Sequence, residues 1–187
     1  MPKVTEWPKN ISEHEFQFPK QIDQSIIDLA GTIRRLINKP MWFTKSASGQ
    51  VFHPDGDARF PDHETKHFSL HHVGIDHTAS KKNNTYVDSP NSLCRALDFH
   101  MNFSSQDEYF DVSINISGLV GSGGFGMYPN WQNPGFHIDT RGRMHPNTGA
   151  RWYAKYNDDG KQEYLGVHSW MLTFDNMRRD YGETFNF

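Results

Sequence analysis

A long stretch without hydrophobic periodicity divides this chain. From about residue 46 to residue 92 the sequence consists of turn-forming residues, charges and histidines, as in HPDGDARFPDHE and DHTASKKNNTYVDSPNS. Such a long segment without regular structure is uncommon inside a folded domain, and it is usually functional or mobile. The regular elements are therefore expected before and after it, in a chain of 187 residues that suits one domain with terminal extensions.

The segment before this loop predicts the clearest helix of the chain, over residues 22–38. Apolar side chains recur there at three- and four-residue spacing, and Pro40 ends the pattern. Residues 1–20 predict an extended arm with aromatic anchors. Residues 41–44 predict a short buried strand.

The segment after the loop predicts a series of strands, at 95–101, 125–128, 136–139 and 151–156. The turn sequence NDDGK at 157–161 predicts a hairpin between the last of these and residues 163–167. Residues 108–120 fit either a strand or a helix. The predicted organisation is an arm over 1–20, a domain over 21–158 with a loop inserted at about 46–92, and a C-terminal hairpin and partly helical tail over 159–187.

Composition excludes several classes of protein. Nineteen Lys and Arg against 22 Asp and Glu give a net charge of −3, which argues against a strongly basic nucleic-acid binder. No run of apolar residues is long enough for a membrane span, and the N-terminus lacks the pattern of a signal peptide. The single cysteine, Cys94, excludes an internal disulfide and a cysteine-rich zinc site.

Eleven histidines make a metal site of histidine and carboxylate ligands worth seeking. Two imidazoles, one carboxylate and an open position are what a catalytic zinc site needs, and His71, Asp98 and His137 are the candidates. Asp139 follows His137 by two residues, so both side chains share a face if the segment is a strand. Asp139 is then placed to orient His137, to act as a catalytic base or to bind a substrate ammonium group. Any single loop histidine is nevertheless more often solvated than ligating.

Two motifs give these residues a family resemblance. The first is Ser69-Leu70-His71-His72-Val73-Gly74 followed by Arg95-Ala96-Leu97-Asp98, and the second runs from Gly123 through GGFGMYPNWQNPGFHIDTRG to Arg151-Trp152. They resemble the zinc D-Ala-D-Ala carboxypeptidase and L-alanyl-D-glutamate endopeptidase family, which has the hedgehog-type fold and includes many phage endolysins. Its motifs read S-x-H-x-x-G-(R)-A-x-D and G-G-x-G-x-Y-P…G-F-x-H-x-D-x-R-G…R-W.

The first motif departs from the family pattern, and two alignments compete. In one, an insertion of about 20 residues separates His71 from Asp98, which loop-closure entropy tolerates cheaply. In the other, residues 89–98 align without a gap, and Asn91 stands where the ligand histidine belongs. Asn is a poor zinc ligand, so this second alignment predicts a metal-free protein unless His71 or His100 supplies the imidazole.

The resemblance implies an α+β fold with a small antiparallel sheet flanked by helices. It also implies a zinc-dependent peptidoglycan peptidase that cleaves an amide in the murein stem peptide, with zinc held by His71, Asp98 and His137. Asp139 or another carboxylate that the motifs do not identify is the expected base, while Arg141 and Tyr128 are the expected substrate contacts. Tyr128, Trp131 and Trp152 also fit a purely structural role in the core.

The resemblance further predicts an association with a phage, in the virion or in the host cytoplasm with release to the cell wall. No nucleic-acid partner is expected, and no membrane-spanning segment is expected in the chain. The alternative is a catalytically inactive virion or tail component that keeps the peptidase fold and contacts other virion proteins. The two functions differ in whether an imidazole faces Asp98 and His137.

Overall fold

The computed structural model of the chain describes residues 3–45, 49–51, 55–61, 69–131, 133–141 and 149–167, together with 176, 177 and 179. Within these residues the fold is α+β. It contains three α-helices, α1 (Gln24–Ile37), α2 (His77–Asn83) and α3 (Gln106–Val120). Its five strands are β1 (Ala96–His100), β2 (Gly124–Tyr128), β3 (Gly135–Asp139), β4 (Arg151–Tyr156) and β5 (Gln162–Val167).

The chain forms two compact units. The first consists of Met1–Thr32 and Trp42–Asp98, and the second of Ile33–Met41 and Phe99–Phe187. The predicted division into arm, domain and tail is a different partition and stays a prediction. Among the described residues, none of the helices combines the length and the apolar character that crossing a membrane requires.

The first unit contains the N-terminal arm and the first part of α1, up to Thr32. The predicted helix at 22–38 is confirmed, and its apolar face is fully buried at Ile26, Ile27 and Ala30. The arm is not extended throughout, since it contains short 3₁₀ turns at Glu13–Glu15 and Pro19–Gln21. Phe16 lies between these turns and packs on Phe43 with ring centroids 5.0 Å apart. Residues 41–44 are buried or half-buried as expected, but they form no strand.

The region predicted as a loop contains α2. Its first turn is capped by the Asp76 carboxylate, which accepts a hydrogen bond from the amide of Ala79 at 2.8 Å, and Asn84 ends it with a φ of 50°. Only Ser80 of this helix is buried. A short helix with no apolar face leaves no hydrophobic periodicity, so the sequence could not reveal it. Residues 46–48, 52–54 and 62–68 of the predicted loop lie outside the described part of the chain.

The five strands form one sheet in the order β1-β3-β2-β4-β5. The strand predictions at 95–101, 125–128, 136–139 and 151–156 and the hairpin to 163–167 are confirmed. The expectation of an antiparallel sheet is wrong for one pair, because β2 and β4 are parallel and the sheet is mixed. The antiparallel β2–β3 hairpin returns the chain from Tyr128 to the level of Gly124. The next strand therefore starts beside the beginning of β2 and runs in the same direction.

Residues 106–120 form helix α3, which settles the open choice between strand and helix. Ser105 caps its start by accepting a hydrogen bond from the amide of Glu108 at 3.1 Å. Tyr109 stacks on Phe136 of β3 with ring centroids 5.0 Å apart. The inward-facing residues of β2 and β3 thus pack under α3, and the alternate residues of both strands project from the opposite face of the sheet.

The structure describes only three residues of the predicted C-terminal tail. Met177 is fully buried, and residues 176, 177 and 179 are helical. The rest of the tail predicted over 168–187 lies outside the described residues.

Candidate metal centre

His71 is held in one orientation by the backbone. Its Nδ1 lies 2.9 Å from the carbonyl oxygen of Asp57, and its Nε2 lies 3.5 Å from Oδ1 of Asp98. A carbonyl only accepts hydrogen bonds, so Nδ1 carries the proton and Nε2 carries the lone pair. This is the tautomer in which a histidine presents Nε2 to a metal while a second group fixes its ring.

Asp98 comes from β1, where it is buried among apolar neighbours. Its amide donates to the carbonyl of Gly56 at 2.8 Å, and Nη2 of Arg59 lies 3.4 Å from Oδ2. One carboxylate oxygen therefore faces Arg59 and the other faces His71. The guanidinium offsets part of the cost of burying the Asp98 charge.

Residues 55–59 are a supporting layer that sequence reasoning missed. They supply the carbonyls of Gly56 and Asp57 and the side chain of Arg59. The carboxylate of Asp57 is itself fully buried, and it accepts hydrogen bonds from the amides of Gln17 at 2.6 Å and Phe18 at 3.2 Å. Burial raises the pKa of Asp57 despite these two donors. The only signal in the sequence is the run DGDAR, which looks like any charged turn.

His137 lies on β3 next to a carboxylate, as its spacing from Asp139 predicted. Its Nε2 is 3.1 Å from Oδ2 of Asp139. A proton on Nε2 donated to this carboxylate places the lone pair of His137 on Nδ1. Asp139 thus fixes the tautomer of His137, just as the Asp57 carbonyl fixes that of His71.

Asp139 is fully buried and surrounded by hydrogen-bond donors. Oδ1 accepts from the amides of Gly124 at 2.8 Å and Arg141 at 3.0 Å, and Oδ2 accepts from Nη2 of Arg141 at 2.6 Å. Burial by itself raises the pKa of Asp139, but His137 and Arg141 outweigh it and hold the pKa well below the ordinary range. These are the contacts of a group that positions its neighbours.

The glycines of the second motif make room for side chains that lie flat on this sheet face. A Cβ on Gly126 would come within 2.5 Å of the Trp152 indole, and one on Gly135 within 2.6 Å of Trp131. A Cβ on Gly124 would overlap the Asp139 carboxylate. The spacing of these glycines therefore follows from packing on one face of β2 and β3.

The predicted substrate contacts lie around Trp152. The centroids of the Trp152 and His137 rings are 5.1 Å apart, and Cζ of Arg141 lies over the Trp152 ring, 5.2 Å from its centroid. Nε1 of Trp152 donates to the hydroxyl of Tyr128 at 3.1 Å. Arg141 is partly exposed, while Tyr128 is almost fully buried.

His71, Asp98 and His137 form a buried group that could hold a metal ion. One ligand atom from each lies within 4.8 Å of the others. Tetrahedral zinc with bonds of about 2.0 to 2.1 Å needs ligand atoms about 3.4 Å apart. The His71–Asp98 distance of 3.5 Å meets this directly. Two imidazoles and one carboxylate are also a donor set that zinc accepts, so these residues fit the metal.

Of the residues that competed for the place beside Asp98 and His137, His71 is the one in this group. Asn91, the competing residue, is exposed in a turn. His100 is buried, but its Nδ1 bonds to the carbonyl of Asn133 at 2.8 Å and its ring packs edge-on against Trp131 at 5.8 Å. The insertion alignment is therefore the one that brings an imidazole to Asp98.

Arg151 has a structural task. Its guanidinium donates to the carbonyls of Gly121, Gly123 and Ser117, at 2.7, 2.7 and 2.9 Å, and to Oγ of Ser117 at 2.7 Å. These carbonyls lie at the end of α3 and the start of β2, where a cation also opposes the negative end of the helix dipole. Arg151 thus fixes the turn that leads into the glycine motif.

Comparisons with models of known protein families, with curated proteins and with solved structures give no match to this chain. The resemblance to the zinc peptidases therefore rests on the two motifs.

Proposed function

We propose that this protein is a zinc-dependent peptidoglycan peptidase that hydrolyses an amide bond in murein stem peptides. The observation that carries the proposal is the buried group of His71, Asp98 and His137, whose ligand atoms lie within 4.8 Å of one another. The α+β fold is consistent with it, and the hedgehog-type peptidase fold is part of the proposal. An association with a phage and release to the cell wall belong to it as well.

A zinc ion held by these residues would supply Lewis-acid activation of water and of the scissile carbonyl. The protein supplies fixed ligands. His71 is oriented by the Asp57 carbonyl and His137 by the Asp139 carboxylate, so little conformational entropy remains to be lost when a metal binds. Burial of all three ligands limits competition from water.

Two neighbouring residues have proposed roles in substrate binding. Arg141 is partly exposed and presents a guanidinium, so it is suited to a carboxylate of the stem peptide. Tyr128 presents its hydroxyl beside Trp152 and is suited to a polar group of the substrate. The base role predicted for Asp139 stays a prediction, because its contacts with His137 and Arg141 are those of a positioning residue.

The inactive alternative depended on Asn91 in place of a ligand histidine. Because His71 stands in the group and Asn91 is exposed, the observation that would favour a metal-free virion component is missing from the described residues. Hydrolysis is therefore the function we propose.

The test begins with zinc content, measured by elemental mass spectrometry on untagged protein purified without chelator. We expect about one zinc per chain, and its loss in His71→Ala and His137→Ala. The matched control is His14→Ala, because His14 is exposed and outside the group. Purified murein is then digested, and newly released amines are followed by chromatography of the products.

A wild type that contains less than about a tenth of a zinc ion per chain, and that takes up no added zinc, would contradict the proposal. So would a zinc-loaded protein that leaves every murein amide intact. Zinc retained by both ligand variants would place the metal elsewhere.

A further inference from the structure

Aromatic side chains form a strip on the sheet face that carries His137. The strip consists of Tyr128 on β2, Trp152 and Tyr156 on β4, and Tyr164 on β5. The strand register places Trp152 beside Gly126, and Ala154 beside Tyr164, so the four rings project from one face. The ring of Tyr164 meets Tyr128 edge-on at 6.3 Å.

The strip runs from solvent to the metal centre. At its outer end Tyr164 is 61% exposed and Tyr156 is 49% exposed. At its inner end Tyr128 is buried, stacked on Trp131 at 4.1 Å, and hydrogen-bonded to Trp152, which touches His137. Tyr156 lies four positions after Trp152 in β4, which is about 13 Å along the strand. That length accommodates more than one pyranose ring.

The Arg141 guanidinium lies over Trp152 at the inner end of the strip, whereas no charged side chain of β4 or β5 projects beside Tyr156 and Tyr164 at the outer end. Lys155 and Glu163 are the charged residues of the β4–β5 hairpin nearest to it, and strand alternation directs both to the opposite face. The polar groups at the outer end are the hydroxyls of Tyr156 and Tyr164 and one amide, and Nε2 of Gln162 donates to the hydroxyl of Tyr164 at 2.9 Å. A stem peptide with its carboxylates, or a phosphate backbone, would call for cations at this outer end instead.

Flat apolar rings edged with neutral hydrogen-bonding groups match the chemistry of a sugar. A pyranose presents an apolar C–H face for stacking and a rim of hydroxyl and acetamido groups for hydrogen bonds. The strip offers both, and it offers no aliphatic side chain larger than Ala154 for a hydrophobic protein surface.

We propose that the strip of Tyr128, Trp152, Tyr156 and Tyr164 binds a neutral chain of N-acetylated sugars. This inference rests on the proposed function and names the substrate class, because the glycan is the part of murein to which the stem peptide is attached. The preferred substrate is then a stem peptide still joined to its glycan, and the free peptide is a poorer one.

Glycan binding is measurable without catalysis. The probe is the β-1,4-linked tetramer of N-acetylglucosamine, titrated by calorimetry into the full chain with and without zinc. We expect binding to the wild type in both states, and affinity about tenfold lower in Tyr164→Ala and in Tyr156→Ala, the upper range for one aromatic contact. Phe60→Ala is the matched control, because Phe60 is a 62% exposed aromatic residue of the first unit.

The second measurement is the ratio of hydrolysis rates on intact murein and on the free stem peptide. Tyr164→Ala should lower this ratio severalfold while hydrolysis of the free peptide stays unchanged. A wild type that does not bind the tetramer at millimolar concentration overturns the inference, as does equal binding by wild type, Tyr164→Ala and Tyr156→Ala. Tetramer binding that depends on Tyr164, in a protein without hydrolysis, supports the glycan site and rejects the peptidase function.

Discussion

Asp139 shows how one buried carboxylate organises its surroundings. It accepts hydrogen bonds from His137, from the amide of Gly124 and from the backbone and guanidinium of Arg141. Each donor stabilises the charged form, which is why its pKa is depressed despite burial. A carboxylate in this state takes up a proton poorly, but it is well suited to fix the ring of a ligand histidine.

Replacing Asp139 separates these two roles. In Asp139→Asn we expect zinc affinity to fall by about 10- to 100-fold, because the partner that orients His137 is weakened. Competition with a chromophoric chelator measures the affinity, and Asp111→Asn on the exposed side of α3 is the matched control. Unchanged zinc affinity with abolished hydrolysis would instead identify Asp139 as the catalytic base.

Gly126 tests the packing explanation of the glycine motif. In Gly126→Ala the new Cβ would lie 2.5 Å from the Trp152 indole, so the ring must move, and we expect a loss of about 1–3 kcal/mol in the free energy of unfolding. Urea denaturation followed by tryptophan fluorescence measures it. The control is Gly118→Ala in α3, where nothing lies within 4 Å, and there the same change should stabilise by about 0.4–1 kcal/mol. A Gly126→Ala protein as stable as the wild type would refute the packing argument.

At the scale of elements, helix α3 illustrates why local pattern is an incomplete guide. Its buried face includes Ser113 and Ser117, which interrupt the apolar periodicity. The hydroxyl of Ser113 donates to the carbonyl of Tyr109 at 2.6 Å, and Oγ of Ser117 accepts from Arg151. Since both serines are satisfied by hydrogen bonds, the helix can bury them at little cost.

The start of α3 is predicted to make stability depend on pH. The hydrogen bond from Lys39, with those from Ser104, lowers the pKa of Glu108 to about 2, below its value of 4.5 in the unfolded chain. A depressed carboxyl pKa contributes stability above pH 4.5 that is lost as the pH falls toward 2. We therefore expect Glu108→Gln to unfold at lower urea than the wild type at pH 7, and the two midpoints to converge in acid.

The contribution of Glu108 is reduced by solvent, because the pair is partly exposed. Varying the ionic strength tests whether the Glu108 contribution is electrostatic. The difference between wild type and Glu108→Gln should shrink at high ionic strength. A difference that persists unchanged below pH 2 would assign the effect to something other than the Glu108 charge.

For the whole molecule, a metal bound by the native state should stabilise it. At free zinc about 100-fold above the dissociation constant, linkage predicts about 2.7 kcal/mol of added stability and a higher Tm. Calorimetric melting with zinc, and after its removal by chelator, measures the shift. His71→Ala should show none, and magnesium should have little effect because it prefers all-oxygen ligands. A shift of equal size with magnesium, or one retained in His71→Ala, would contradict the assigned group.

The sequence by itself determined the elements whose pattern is complete within a few residues. Helix α1 follows from its apolar spacing, and strands β2 to β5 follow from runs bounded by turn residues. The neighbourhood of His137 and Asp139 follows from strand alternation alone. In each case the interactions that decide the structure are local, so they can be recognised in the sequence.

Only the tertiary structure decided between the two alignments that placed His71 or Asn91 with Asp98, which direction β4 takes, and which residues support the ligands. These depend on segments far apart in the chain, and a long loop can close in many ways at nearly equal entropic cost. Spacing therefore left Asn91 and His100 open beside His71, the expected ligand. What separates them is the hydrogen bond from His71 to the Asp57 carbonyl and the turn that leaves Asn91 in solvent, and both are products of the folded chain.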